Sequence, residues 1–150
     1  MEANLILPIK KKWFDMILSN NKKEEYRDLT PYYLRRIFYC GKTEMTDYIA
    51  EQIINDFKKK PSIEVKNKWQ LIPKNNTVEF RNGYGKKVPS YMFFIDAIKI
   101  GKGREKLGAD RDKIYFVIHI SKFYKWINKT AEQQLYENEG AFVKELDIDW

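Results

Sequence analysis

The chain alternates short apolar runs with charged stretches in its first half and carries longer apolar runs in its second. Asn4–Ile9 (NLILPI) is short, apolar and closed by a proline, and predicts a first strand. Lys10–Ser19 places Trp13, Phe14, Ile17 and Leu18 on one face of a helix. Asn20–Asn21 follows as a helix stop, because asparagine tolerates the left-handed conformation. Lys22–Arg27 then predicts a second strand. Thr30–Pro31 is an N-cap followed by proline at the first helical position. That helix turns Leu34, Ile37 and Phe38 inward and Arg35 and Arg36 outward. A third helix begins near Thr46–Asp47, with Ile49, Ile53 and Phe57 at helical spacing, and ends in the lysines 58–60 before Pro61.

After Pro61 the pattern becomes that of strands. Lys68–Ile72 and Thr77–Arg81 are short and bounded by turn residues; in the second, Val78 and Phe80 share one face and Glu79 and Arg81 the other. Asn82-Gly83-Tyr84-Gly85 predicts a tight turn. Tyr91–Ile100 and Ile114–Ile120 are apolar on both faces and predict buried strands, separated by a glycine- and charge-rich loop over Gly101–Lys113. Residues 123–137 read as partly helical. The order predicts an α+β fold, a mixed barrel-like sheet with helices packed on its outside. The 150 residues suit one domain, and no linker or internal repeat divides them.

Charge changes the picture. The chain has 28 Lys and Arg against 21 Asp and Glu, a net +7. Residues 131–150 hold six acids and one lysine, a net −5, which leaves +12 on residues 1–130. A basic body with an acidic tail points to a polyanionic partner, with nucleic acid the first candidate. The tail either competes for that basic surface or is plain solvated peptide. No apolar run approaches the roughly 20 residues that span a bilayer. The N-terminal run has its lysines after the apolar segment, the wrong order for a signal peptide. One cysteine, Cys40, and one histidine, His119, do not make a zinc site. A cytoplasmic protein with no cofactor and no metal is expected. Gly101-Lys102-Gly103 lacks the Gly-Lys-Ser/Thr ending of a phosphate loop.

The stretch NNKKEEYR, residues 20–27, bears on function. Its context, ILPIKKKWFDMILSNNKKEEYRDLTPYYLRRIF, resembles the start of ASCH domains in the PUA-like superfamily. Their pattern is strand, helix, then Gly-x-Lys-x-x-x-x-Arg, often ending Glu-x-Arg. Here it reads Asn20-x-Lys22-x-x-x-x-Arg27, with Glu25 two residues before the arginine. A second block, VEFRNGYGKKVPSYMFFIDAIKIGKGREKLGADRDKIYFVIHI, is similar to the rest of the barrel in phage-type and bacterial members. Three features depart from the family. Asn20 replaces glycine, residues 41–76 carry a helical insertion, and Leu107-Gly108 stands where many members have Trp-Gly.

The resemblance implies a PUA-like β-barrel whose cleft binds RNA or a modified nucleotide. One bacterial branch of the family hydrolyses N4-acetylcytidine with Lys and Thr of this motif and a Glu from elsewhere; other members have been proposed as ribonucleases. The motif lysine falls at Lys22 and the arginine at Arg27, while the threonine position holds Glu25. A carboxylate cannot be the hydroxyl nucleophile there, but it can serve as a base on water. If this chain is an enzyme, Lys22 and Glu25 are its expected catalytic pair.

Strand geometry puts Glu25 and Arg27 on one face, where they can pair. Lys22 joins that face only from a turn or through a bulge. On charge alone the same residues read as an exposed edge strand that resists pairing with other chains. The expected ligand contacts are Lys22, Glu25, Tyr26, Arg27, Arg81, Asn82, Tyr84 and Lys86. Aromatic rings beside basic residues suit single-stranded RNA by stacking, although burial in the core is the commoner fate of such rings. The competing classes are a binding module, a metal-free hydrolase, and a protein-interaction module that uses the insertion or the acidic tail.

Overall fold

The computed structural model describes residues 4–41, 43–61 and 63–129. The acidic tail over 131–150 and the last part of the helix expected at 123–137 lie outside the described residues.

The elements run β1 (Leu5–Ile9), α1 (Lys11–Leu18), β2 (Glu24–Asp28), α2 (Pro31–Ile37), β3 (Phe38–Cys40), α3 (Asp47–Lys59), α4 (Ile63–Trp69), β4 (Leu71–Pro73), β5 (Thr77–Asn82), β6 (Ser90–Lys102), a short 3-10 turn (Glu105–Leu107) and β7 (Ile114–Asn128). Five strands pair in the order β1-β5-β6-β7-β2, and β3 and β4 pair separately. β1 is parallel to β5, whereas β5–β6 and β2–β7 are antiparallel. The fold is α+β with a mixed sheet, as expected. The closed barrel is not found among the described residues: the pairing ends at β1 and β2, and β3 and β4 pair with each other instead of extending the main sheet.

Contacts divide the chain into two compact units. Among the described residues, the first comprises Glu24–Asn76 and Asp96–His119; the second comprises Asn4–Lys23, Thr77–Ile95 and residues 120–129.

In the first unit, α2 and α3 supply the core. Thr30 caps α2 by accepting the Tyr33 N–H, and Pro31 opens the helix. Leu34, Ile37 and Phe38 are buried as the pattern requires, although Phe38 already belongs to β3. Thr46 caps α3, and Lys58 and Lys59 close it, where cations suit the negative end of the helix dipole. Ala50, Ile53, Ile54 and Phe57 form its buried stripe. Phe57 meets Phe116 of β7 edge to face, with centroids 6.2 Å apart. The strand expected over Lys68–Ile72 is found only in its second half: Lys68 and Trp69 close α4 (Ile63–Trp69), Gln70 turns, and Leu71–Pro73 is extended. Asp56 explains why. It accepts from Trp69 Nε1 at 2.8 Å and Lys68 Nζ at 3.0 Å, which holds the end of α4 against α3.

In the second unit, Tyr91 is the hub. It stacks on Phe14 with centroids 4.2 Å apart, and its hydroxyl donates to the Phe14 carbonyl. Phe93 and Trp126 pack on its edges at 5.3 and 5.7 Å. This aromatic cluster corrects the helix expected from residue 123. Residues 123–128 continue β7, since ring packing on a pleated surface favours strand. No helix among the described residues is long and apolar enough to cross a membrane.

Candidate functional site

Each unit carries its own cluster of buried charge. In the second unit the cluster starts from the end of α1. Asn20 adopts φ 67°, the left-handed conformation its type tolerates. The Asn20 N–H donates to the Ile17 carbonyl at 3.1 Å and the Asn21 N–H to the Met16 carbonyl at 2.8 Å, the two bonds of a Schellman cap. The Met16 carbonyl also accepts the Lys22 N–H at 3.1 Å. Lys22 therefore sits in the turn that leaves the helix, and β2 begins only at Glu24. Its side chain is 1% exposed, and its ammonium lies 4.7 Å from the Trp13 ring centroid. Lys12 approaches the same indole at 4.7 Å.

β5 holds the second charged element of this unit. Glu79 lies opposite Val78 and Phe80 on the strand, yet it is only 4% exposed. Arg81 Nε donates to its Oε2 at 2.7 Å. Arg81 Nη1 also donates to the Gly85 carbonyl at 3.3 Å, so this arginine ties the carboxylate to the turn. Gly83 and Gly85 take φ 97° and 102°, as the turn demands. Asn82 is half-buried, with its N–H on the Pro89 carbonyl. Tyr84 is 88% exposed, and Lys86 is exposed beside it.

In the first unit β2 is an edge strand, with Glu25 opposite Ile118 and Arg27 opposite Phe116 of β7. Arg27 Nη2 donates to Glu25 Oε2 at 2.8 Å, and the two side chains are 15% and 9% exposed. Glu25 Oε1 accepts the Tyr26 N–H at 3.0 Å. Tyr33 stands over the guanidinium, 5.7 Å away, and its hydroxyl accepts from Nη1 at 3.3 Å. Burial works against the Arg27 charge, and Glu25 and Tyr33 together outweigh it, so its pKa lies above the ordinary arginine value. These charges are not the solvated fringe that a simple edge strand would show.

Tyr26 faces the other way. Its hydroxyl donates to Glu24 Oε1 at 2.7 Å and accepts the Arg104 N–H at 3.1 Å. Its ring fills the space where a side chain on Gly103 would stand. Burial, then the bond to Glu24, pushes the phenol well above its usual value. His119 Nδ1 lies 3.6 Å from the same Glu24 carboxylate.

The structure thus joins Glu25 to Arg27, and separately Glu79 to Arg81. Trp13 and Glu79 belong to these clusters but do not stand out in the sequence. Trp13 reads as core, and Glu79 reads as the solvent face of its strand. The available signal is a repeated tripeptide, Glu25-Tyr26-Arg27 and Glu79-Phe80-Arg81. Among the described residues, no group of three His, Cys, Asp or Glu side chains is placed to hold a metal ion. No family model, curated protein or solved structure matches the chain.

Proposed function

We propose that this protein binds RNA or a modified nucleotide, and that its sheet is an open variant of the PUA-like barrel its sequence resembles. Within the second unit the cationic contact is Lys22, and within the first Arg27, held by Glu25, offers a planar donor. The observation that carries the reading is Lys22: a lysine side chain 1% exposed, its ammonium on an indole face, in the turn where the family motif puts its lysine. Burial of a charge costs several kcal/mol before compensation, roughly, so chains seldom keep one without a use. A lysine supplies a point charge for a phosphate, and an arginine supplies a fork for a phosphate or a base edge. The basic surface of residues 1–130 adds salt-dependent affinity.

The test mixes purified protein with single-stranded RNA, duplex RNA, DNA and N4-acetylcytidine, with and without EDTA, beside Lys22→Met. Methionine keeps most of the volume and removes the charge. The expected result is salt-sensitive binding that falls about tenfold in the variant, the value of one charge-assisted contact. Absence of binding to all four ligands would overturn the reading.

A hydrolase is the second reading, favoured by Glu79. Its buried carboxylate lies in the same unit as Lys22 and is oriented by Arg81. Within that unit Lys22 would act as acid or electrostatic stabiliser, with Glu79 as base on water. Both Glu25 oxygens already accept bonds, from Arg27 and from the Tyr26 N–H, which makes Glu79 the better base. Product that forms with wild type and vanishes in Lys22→Met and Glu79→Gln, while ligand still binds, would establish this reading.

A further inference from the structure

The first unit contains a cavity of about 480 Å³ that neither Lys22 nor Arg27 lines. Its walls come from the start of α4, the end of β4 and the 97–100 stretch of β6. Ile63, Pro73, Ile98 and Ile100 make it apolar, and Ile63 is 69% exposed at its edge. Lys66 and Lys99 also line it, and among the described residues no acidic one does. Lys66 Nζ donates to the Ile98 carbonyl at 2.9 Å and lies 5.7 Å from the Phe38 ring. The other charges of α4 are engaged elsewhere: Glu64 pairs with Lys60, and Lys68 with Asp56.

Two cations at an apolar wall, with no counter-charge among the described lining residues, form an incomplete arrangement. Burial first, and then the charge of Lys99, push the Lys66 amine below its ordinary value. An anion entering the cavity would reverse the second effect and compensate the first. An ammonium has three N–H donors, and the Ile98 carbonyl takes one. The volume falls within the range of small-molecule pockets, roughly 300–1,000 Å³. The hydrocarbon walls suit an apolar body rather than a sugar or a phosphodiester chain.

We propose that this cavity binds a small amphipathic monoanion, an aliphatic or aromatic carboxylate, with its anionic end on Lys66 and Lys99 and its hydrocarbon against Ile63, Pro73, Ile98 and Ile100. The site is independent of the nucleic-acid reading and takes a different chemical class.

The test is a calorimetric titration of the full chain with octanoate, and with octanamide as the neutral isostere. Saturable one-site binding of octanoate is expected, with octanamide about tenfold weaker or more, as the loss of a charge-assisted bond implies. Lys66→Met and Lys99→Met should each weaken octanoate about tenfold and leave octanamide unchanged. Because Lys99 is exposed, its variant decides the matter if Lys66→Met fails to fold. Octanoate should also bind in the presence of excess single-stranded RNA. No saturable binding, equal binding of acid and amide, indifference to both substitutions, or displacement by RNA would each overturn the proposal.

Discussion

Arg27 and Glu25 form an ion pair at 2.8 Å on an edge strand, and both side chains are largely buried. Such a pair is asymmetric in energy. Its formation yields little net stability, because two charges must leave water, but loss of one partner strands the other. Glu25→Gln or Arg27→Met alone should cost about 3 kcal/mol, whereas the double change Glu25→Leu with Arg27→Met should fall within about 1 kcal/mol of wild type. Urea denaturation of the four proteins gives the cycle. If the double variant loses affinity for RNA while it stays folded, the pair serves binding. If it binds normally, Arg27 has no role in recognition.

The cap of α1 sets where Lys22 emerges. Asn20 holds a left-handed φ that glycine adopts freely and a branched residue resists. Asn20→Gly should leave stability within about 0.5 kcal/mol of wild type, and Asn20→Val should cost about 1–2 kcal/mol. The valine variant should also weaken ligand binding by displacing the Lys22 turn. Thermal melts and an RNA titration, run side by side, check both expectations.

Most of the helical half was legible because its punctuation is chemical. Thr30-Pro31, Thr46 and the lysine run at α3 each satisfy a helix end. Asn20 announced its φ by residue type. α4 was hidden because Val65 is its one buried residue, so it has no apolar stripe to read. It is held by Asp56 from another helix, a contact that no local pattern reveals. The extension of β7 was hidden for a related reason. Phe123 and Trp126 stand three apart, which mimics helical spacing, and only the rings around Tyr91 make the segment a strand. In the candidate site the Glu25–Arg27 pairing followed from strand alternation. The burial of Glu79 did not, because alternation assigns a face and cannot say whether that face meets water.

Gly103 has a packing role that a single methyl would disturb. A Cβ there would stand 2.6 Å from the Tyr26 ring and 2.6 Å from the Ala109 Cβ. Gly103→Ala should therefore destabilise the fold by about 1–3 kcal/mol. Tyr26→Val in the same chain should cost less than the sum of the two single changes, because the smaller side chain vacates the space. Additive losses in a chemical-denaturation cycle would mean that the contact with the Ala109 Cβ, and not the ring, sets the cost.

Tyr26 also predicts a pH dependence. Its phenol titrates near 10 in an unfolded chain and well above that in the fold, because burial and the Glu24 carboxylate disfavour the phenolate. The sign follows from linkage. Below pH 10 both states keep the proton, and the bond to Glu24 contributes its full stability. Above pH 10 the unfolded chain releases the proton while the folded one retains it, so stability falls as pH rises. Tyr26→Phe has no proton to release. It should be less stable than wild type near neutrality, by about 1–2 kcal/mol for the lost hydroxyl bonds to Glu24 and Arg104. Its stability should decline less between pH 9 and pH 11. Urea midpoints across that window decide it: converging curves place the titration on Tyr26, and parallel curves assign the alkaline loss to other groups.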